Sequence, residues 1–145
     1  MQLEHQVCNL ELSKKLKELG VPQESSFVWY NLNGGLSGEP RYDLKFRRGD
    51  NPEYSPAAFT DAELGEMLPP TVSLQSKGER VYYHLSGGKK WQDKKWAYMY
   101  TLAVDTKDKQ RVGNEWQLTY QWADTEADAR AKMLIYLLEN NLITL

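Results

Sequence analysis

The sequence holds little that would fix a chemistry by itself. It contains one cysteine, Cys8, and two histidines, His5 and His84. A lone cysteine cannot close an internal bridge, and its presence fits a reducing compartment. A closed zinc site takes four ligands, whereas His5-x-x-Cys8 offers two and His84 cannot complete the set with cysteine. No metal and no other cofactor is therefore expected. Long hydrophobic runs are also missing. A spanning helix needs about 20 mainly apolar residues, but the most continuous apolar stretches are Met133 to Leu138 and Ala97 to Val104, which suit core elements. Neither sign of charge dominates: 18 Lys and Arg stand against 20 Asp and Glu, giving a net charge of −2. The opening Met1-Gln-Leu-Glu-His-Gln lacks the basic start and apolar run of a secretory signal, so no membrane role and a cytoplasmic setting are expected.

Aromatic surface is what the chain does have. Five Trp and nine Tyr occur in 145 residues and make up for a modest supply of aliphatic side chains. Each buries a large area wherever its polar edge finds a partner. The length suits one domain of the usual roughly 100–200 residues, so residues 1–145 are read as a single domain.

Periodicity supplies the elements. Leu12, Leu16 and Leu19 share one face of a helix over about Asn9 to Leu19, which Gly20 and Pro22 terminate. Strand-like runs follow at Ser26 to Leu32 and Arg41 to Arg47, joined by the turn-rich 33–40 segment as a hairpin. Thr60 and Glu63 have capping-box spacing before a short helix that Pro69-Pro70 ends, with Gly65 a costly residue inside it. Thr71 to Gln75 and Arg80 to Ser86 begin a meander. Trp96 to Val104 is apolar on both faces and reads as an inner strand. In the next strand Trp116, Leu118, Tyr120 and Trp122 alternate with Gln117, Thr119 and Gln121, so the aromatic side is expected toward the core. Residues 105–114 read as a polar loop between these strands. Thr125 caps a last helix with Ala127, Ala131, Leu134, Leu138 and Leu142 facing inward. The expected class is α+β, with a mainly antiparallel sheet of about six strands and about three helices, in the order α-β-β-α-β-β-β-β-α.

Local catalytic signatures are missing from the sequence: there is no phosphate loop, no His-Glu-x-x-His, no Cys-x-x-Cys and no Gly-x-Ser-x-Gly. Gly34, Gly35 and Gly38 precede a strand and read as a hairpin turn, and Arg48-Gly49-Asp50 reads as a polar turn. The balance leans away from an enzyme, although a site dispersed along the sequence has no signature to find. One segment stands out. Between Lys77 and Lys95 lie six basic residues and two acidic ones, so the rest of the chain is acidic on balance. Within it, Lys89, Lys90, Trp91, Lys94 and Lys95 are the candidate binding residues, since lysines hold phosphates and an exposed tryptophan offers a base a stacking platform. The structural alternative is a lysine-protected hairpin tip with Trp96 in the core. Acidic residues beside the second and third helices, among them Asp61, Glu66 and Glu126, offer a contrasting face for a basic partner or serve the helix dipoles.

Three helical blocks carry a resemblance. Residues Ala123 to Ile143 resemble the closing helix of small bacteriophage and prophage proteins whose function is unknown. Asn9 to Ser25 and Phe59 to Pro69 look like the other helical blocks of the same group. The resemblance implies a mobile-element origin and a cytoplasmic setting, and it carries over no catalytic residue, substrate or cofactor. Taken with the uneven charge, it leads to an expected role as a phage or prophage accessory protein that binds a host or phage protein. Nucleic-acid or nucleotide binding through 87–96 is the competing expectation.

Overall fold

A computed structural model describes residues 2–33, 38–49, 55–76, 78–102 and 117–145. The class is α+β, and the elements follow in the expected order. Asn9 caps α1 (Leu10–Glu18) by accepting the Leu12 amide at 3.0 Å, and Gly20 leaves the helix at φ 82°, a conformation glycine takes without strain. Strands β1 (Phe27–Asn31) and β2 (Tyr42–Phe46) pair antiparallel as a two-stranded sheet. Helix α2 (Asp61–Met67) begins with the full Thr60/Glu63 capping box. Four strands, β3 (Thr71–Ser76), β4 (Glu79–Lys89), β5 (Trp96–Leu102) and β6 (Gln117–Ala123), then form an antiparallel meander in sequence order. Thr125 caps the final helix, α3 (Glu126–Glu139), through the Asp128 amide at 3.2 Å. The six strands thus divide into a pair and a foursome. A short 3-10 turn at Leu3–His5 precedes them.

Several expected features fall outside the described residues: Gly34, Gly35, Asp50, Lys77, Ala103, Val104, Trp116 and the 105–114 loop.

Helix α3 is the centre of the packing. It lies against β5 and β6 on one side and against α1 and α2 on others. Its buried set therefore exceeds one stripe: Ala129, Met133, Ile135 and Leu137 join Ala127, Ala131 and Leu134. A helix with neighbours on several sides buries more than an amphipathic surface helix does. Leu16, Phe59, Leu64 and Tyr100 are among the residues that join α3 in this core. The segment Ser55 to Thr60 ties the small sheet to it. Trp29 N–H donates to the Pro56 carbonyl at 2.9 Å, Ala58 N–H to Phe27 at 2.9 Å, and Cys8 N–H to Phe59 at 2.8 Å.

Polar side chains pin the helices. Glu63 accepts from the Thr60 amide at 2.7 Å, the Ser25 hydroxyl at 2.8 Å and the Ser26 amide at 3.1 Å, so one carboxylate closes a helix and anchors the approach to β1. Asp128 receives both the backbone and side-chain N–H of Asn9, at 2.7 and 3.1 Å, joining the starts of α3 and α1. Arg130 donates to the Asp61 carbonyl at 3.0 Å, the Tyr98 hydroxyl at 3.0 Å and Glu126 at 2.6 Å, while Tyr98 donates to the same carboxylate.

This cluster explains Gly65. A Cβ built there would lie 1.9 Å from Arg130 Nη1, so the glycine that weakens α2 makes room for the arginine that joins α2, α3 and β5. Gly87 is required in β4 for a similar reason, since its Cβ would meet the Tyr98 ring at 2.3 Å and the Ala97 carbonyl at 2.6 Å.

Candidate contact surface

Register decides which side chains share each face of the four-stranded sheet. Tyr98 and Tyr100 point toward the helices, where they donate to Glu126 and, at 2.6 Å, to the Pro69 carbonyl. Burial and the Glu126 bond push the Tyr98 hydroxyl up to about 12, and burial raises Tyr100 as well. Their neighbours Ala97, Met99 and Thr101 must then point the opposite way. Ala97 pairs with Gly88 and Trp122, Met99 with Ser86 and Tyr120, and Thr101 with His84. The outer face therefore has a floor of mostly small side chains with Met99 at its middle, flanked by Tyr120 and Trp122 on β6 and by Tyr82 and His84 on β4.

The expectation for β6 is corrected here. Leu118, at a register irregularity, does pack against the core, but Thr119 and Ala123 are buried while Tyr120 and Trp122 take the outer face, Trp122 at 48% exposure. Residues without aromatic bulk, Thr119, Gln121 and Ala123, occupy the inner phase because α3 packs directly on this strand, presenting Ala127 and Ala131. The bulky rings are displaced outward. The signal that could have revealed this lies in Ala123, which continues the phase of Thr119 and Gln121 immediately before a helix rich in alanine.

The five candidate binding residues all lie in the β4–β5 hairpin. Lys89 ends β4 opposite Trp96, and Lys90 N–H donates to the Lys95 carbonyl at 2.7 Å, closing the turn. Asp93 accepts the Lys95 amide at 3.0 Å, and Lys94 adopts φ 58°. Trp91 projects from the tip at 80% exposure, beside a shallow depression of about 520 Å³ against Lys90 and Gln92. Trp96 is half-buried against the core, as the structural alternative requires.

The structure adds partners that local sequence could not supply. Lys90 Nζ lies 4.6 Å from the centre of the Tyr120 ring. Lys95 Nζ lies 4.2 Å above Trp122, and Lys132 of α3 approaches the same ring at 5.5 Å while donating to the Trp122 carbonyl at 3.0 Å. Asp124 stands 3.9 Å from Lys95 and is largely exposed, so it neutralises that lysine only weakly. Lys90 and Lys95 of the hairpin and Lys132 of α3 thus converge on two aromatic rings from two separate parts of the chain. Lys89 and Lys94 do not join them: Lys89 has the inward phase of its strand, and Lys94 turns at the tip.

The remaining reactive groups are accounted for elsewhere. Cys8 is fully buried and shares a 3.1 Å hydrogen bond with Ser13. Burial pushes its thiol up from 9.0 to about 11, the reverse of what a nucleophile needs. His84 is exposed and bonds Thr71 through Nδ1 at 3.0 Å, and His5 is exposed in the first turn. Among the described residues no three His, Cys, Asp or Glu side chains cluster as a metal site would require. Among the same residues no helix is long and apolar enough to cross a membrane. No family model matches the chain, and neither do the curated proteins or the solved structures.

Proposed function

We propose that this protein is a contact module, an accessory protein of phage or prophage origin that works by binding another macromolecule. The observation that carries the reading is the convergence of Lys90, Lys95 and Lys132 on Tyr120 and Trp122, beside an almost free Trp91. The exposed rings of Trp91 and Trp122 cost solubility and contribute little to the core, and tryptophan is prominent among residues that dominate binding energy. The lysine stems cover part of the apolar area while their ammonium groups remain in water.

The test is affinity capture from host lysate with wild type and the double variant W91A/W122A. The expected result is a macromolecule retained by wild type and lost by the double variant. Equal capture by both, or no capture together with turnover of a small molecule, would remove the proposal.

A further inference from the structure

Building on that reading, we infer that the macromolecule is a single-stranded nucleic acid laid on the outer face of the four-stranded sheet. Bases would stack on Trp122 and Trp91, with phosphates held by Lys90, Lys95 and Lys132.

Three features of the face point to this occupant. The first is the pairing of cations with rings. A nucleotide presents an anionic phosphate next to a flat base, and here each ammonium sits directly over, or at the border of, an aromatic ring. When a base takes the ring, the displaced lysine is already within reach of its phosphate. Stacking of a base on an indole outweighs an exposed ammonium on the same ring, so the exchange is favourable.

The second feature is the floor. Ser86, Gly88 and Ala97 contribute little bulk between the flanking aromatics, and the flexible Met99 between Ser86 and Tyr120 adds an apolar surface on which a base can rest. From the level of Gly88 to Tyr82, six residues along β4 give a track of about 20 Å. The third is charge. Lys89, Lys90, Lys94 and Lys95 gather at the hairpin tip beside one acidic residue of the turn, Asp93, although the chain as a whole has a net charge of −2, which concentrates the attraction for a polyanion at this end of the sheet. The projecting rings of Trp91 and Trp122 suit bases that are already unstacked, while Tyr120 beside them is partly buried with its hydroxyl enclosed. A duplex hides its base faces inside the helix.

The decisive measurement is tryptophan fluorescence on titration with a 12-nucleotide oligothymidylate, a length within the roughly 4–16 nucleotides that comparable single-strand modules cover. Poly-glutamate of matched charge serves as the second arm. Saturable quenching is expected with the oligonucleotide and not with poly-glutamate. Three phosphate contacts at about 0.7 counterions each predict a log–log salt slope near −2, so affinity should fall about 100-fold between 20 and 200 mM salt. W122A should weaken binding about tenfold, W122F should restore most of it, and K90A/K95A should reduce the slope to about −0.7.

The inference is overturned by no quenching at 20 mM salt, by an equal response to poly-glutamate, or by W122A binding as wild type does while circular dichroism shows it folded. If the oligonucleotide fails but W91A/W122A still loses a captured macromolecule, the nucleic-acid assignment falls and the contact-module reading stands. If the double variant also captures normally, both fall.

Discussion

Cys8 shows how a single side chain can be chemically silent and still govern behaviour in solution. It is enclosed at the join between the amino-terminal segment and the 55–60 segment, with its amide bonded to the Phe59 carbonyl. Its thiol is raised from 9.0 to about 11, with burial the main cause. Below pH 9 both the folded and unfolded chains keep the proton, and the associated stability is present in full. Between about 9 and 11 the unfolded chain alone releases it, so stability falls as pH rises, by up to about 1.4 kcal/mol per pH unit. Urea unfolding at closely spaced pH values should show this decline in wild type. In C8A it should begin about one unit later, where the raised hydroxyls of Tyr98 and Tyr100 take over. An unchanged onset in C8A would mean that Cys8 is not a source of the decline.

At the scale of elements, the joint among α2, α3 and β5 is a test of competing local and tertiary demands. Alanine in place of a helical glycine ordinarily stabilises by about 1 kcal/mol. At Gly65 the new methyl group would displace Arg130 Nη1, which is held to the Asp61 carbonyl at 3.0 Å. G65A should therefore destabilise, by about 1–2 kcal/mol, because the lost charged hydrogen bond exceeds the gain in propensity. In an R130A background the sign should reverse and G65A should stabilise by up to about 1 kcal/mol. Thermal or urea unfolding of the four proteins completes the cycle.

The same joint marks the limit of what periodicity reveals. The starts of α2 and α3 were legible because Thr60 and Thr125 act on amides only a few residues away, and α1 was legible through its leucine spacing, its Asn9 cap emerging only in the structure. The hairpin and the meander were legible through alternation and turn residues. The face that β6 presents to α3 was not, because it depends on the bulk of a helix that comes later in the chain. Glu63 was recognisable as a cap, but its bonds to Ser25 and Ser26 cross a long sequence separation. The contact surface was half legible. The lysines and Trp91 of the hairpin stand together in sequence, whereas Tyr120, Trp122 and Lys132 reach them only through strand register and packing of α3.

Across the molecule, stability should be uneven. The pair β1 and β2 makes its regular strand contacts within itself, and β1 is tied to the remainder through the 55–60 segment. Strand β2 lies one strand further out. It ends at Phe46, which is 66% exposed and packs edge-on against Phe27 at 5.5 Å. A two-stranded hairpin is marginal without added packing. In hydrogen exchange, the bonded amides of Tyr42–Phe46 should therefore open at a lower free energy than those of β4 and β5, which are flanked by strands on both sides. Equal protection across both sheets would instead show that the molecule opens only as one unit.

The lysine-rich tip of the β4–β5 hairpin has a consequence for handling the protein. Trypsin cuts after lysine, and Lys94 lies in an exposed turn beside Lys89, Lys90 and Lys95. A nick there would leave β4 and β5 joined along a register that runs from Tyr83 and Leu102 to Lys89 and Trp96. The two fragments should stay associated and run as one species under native conditions, separating only when denatured.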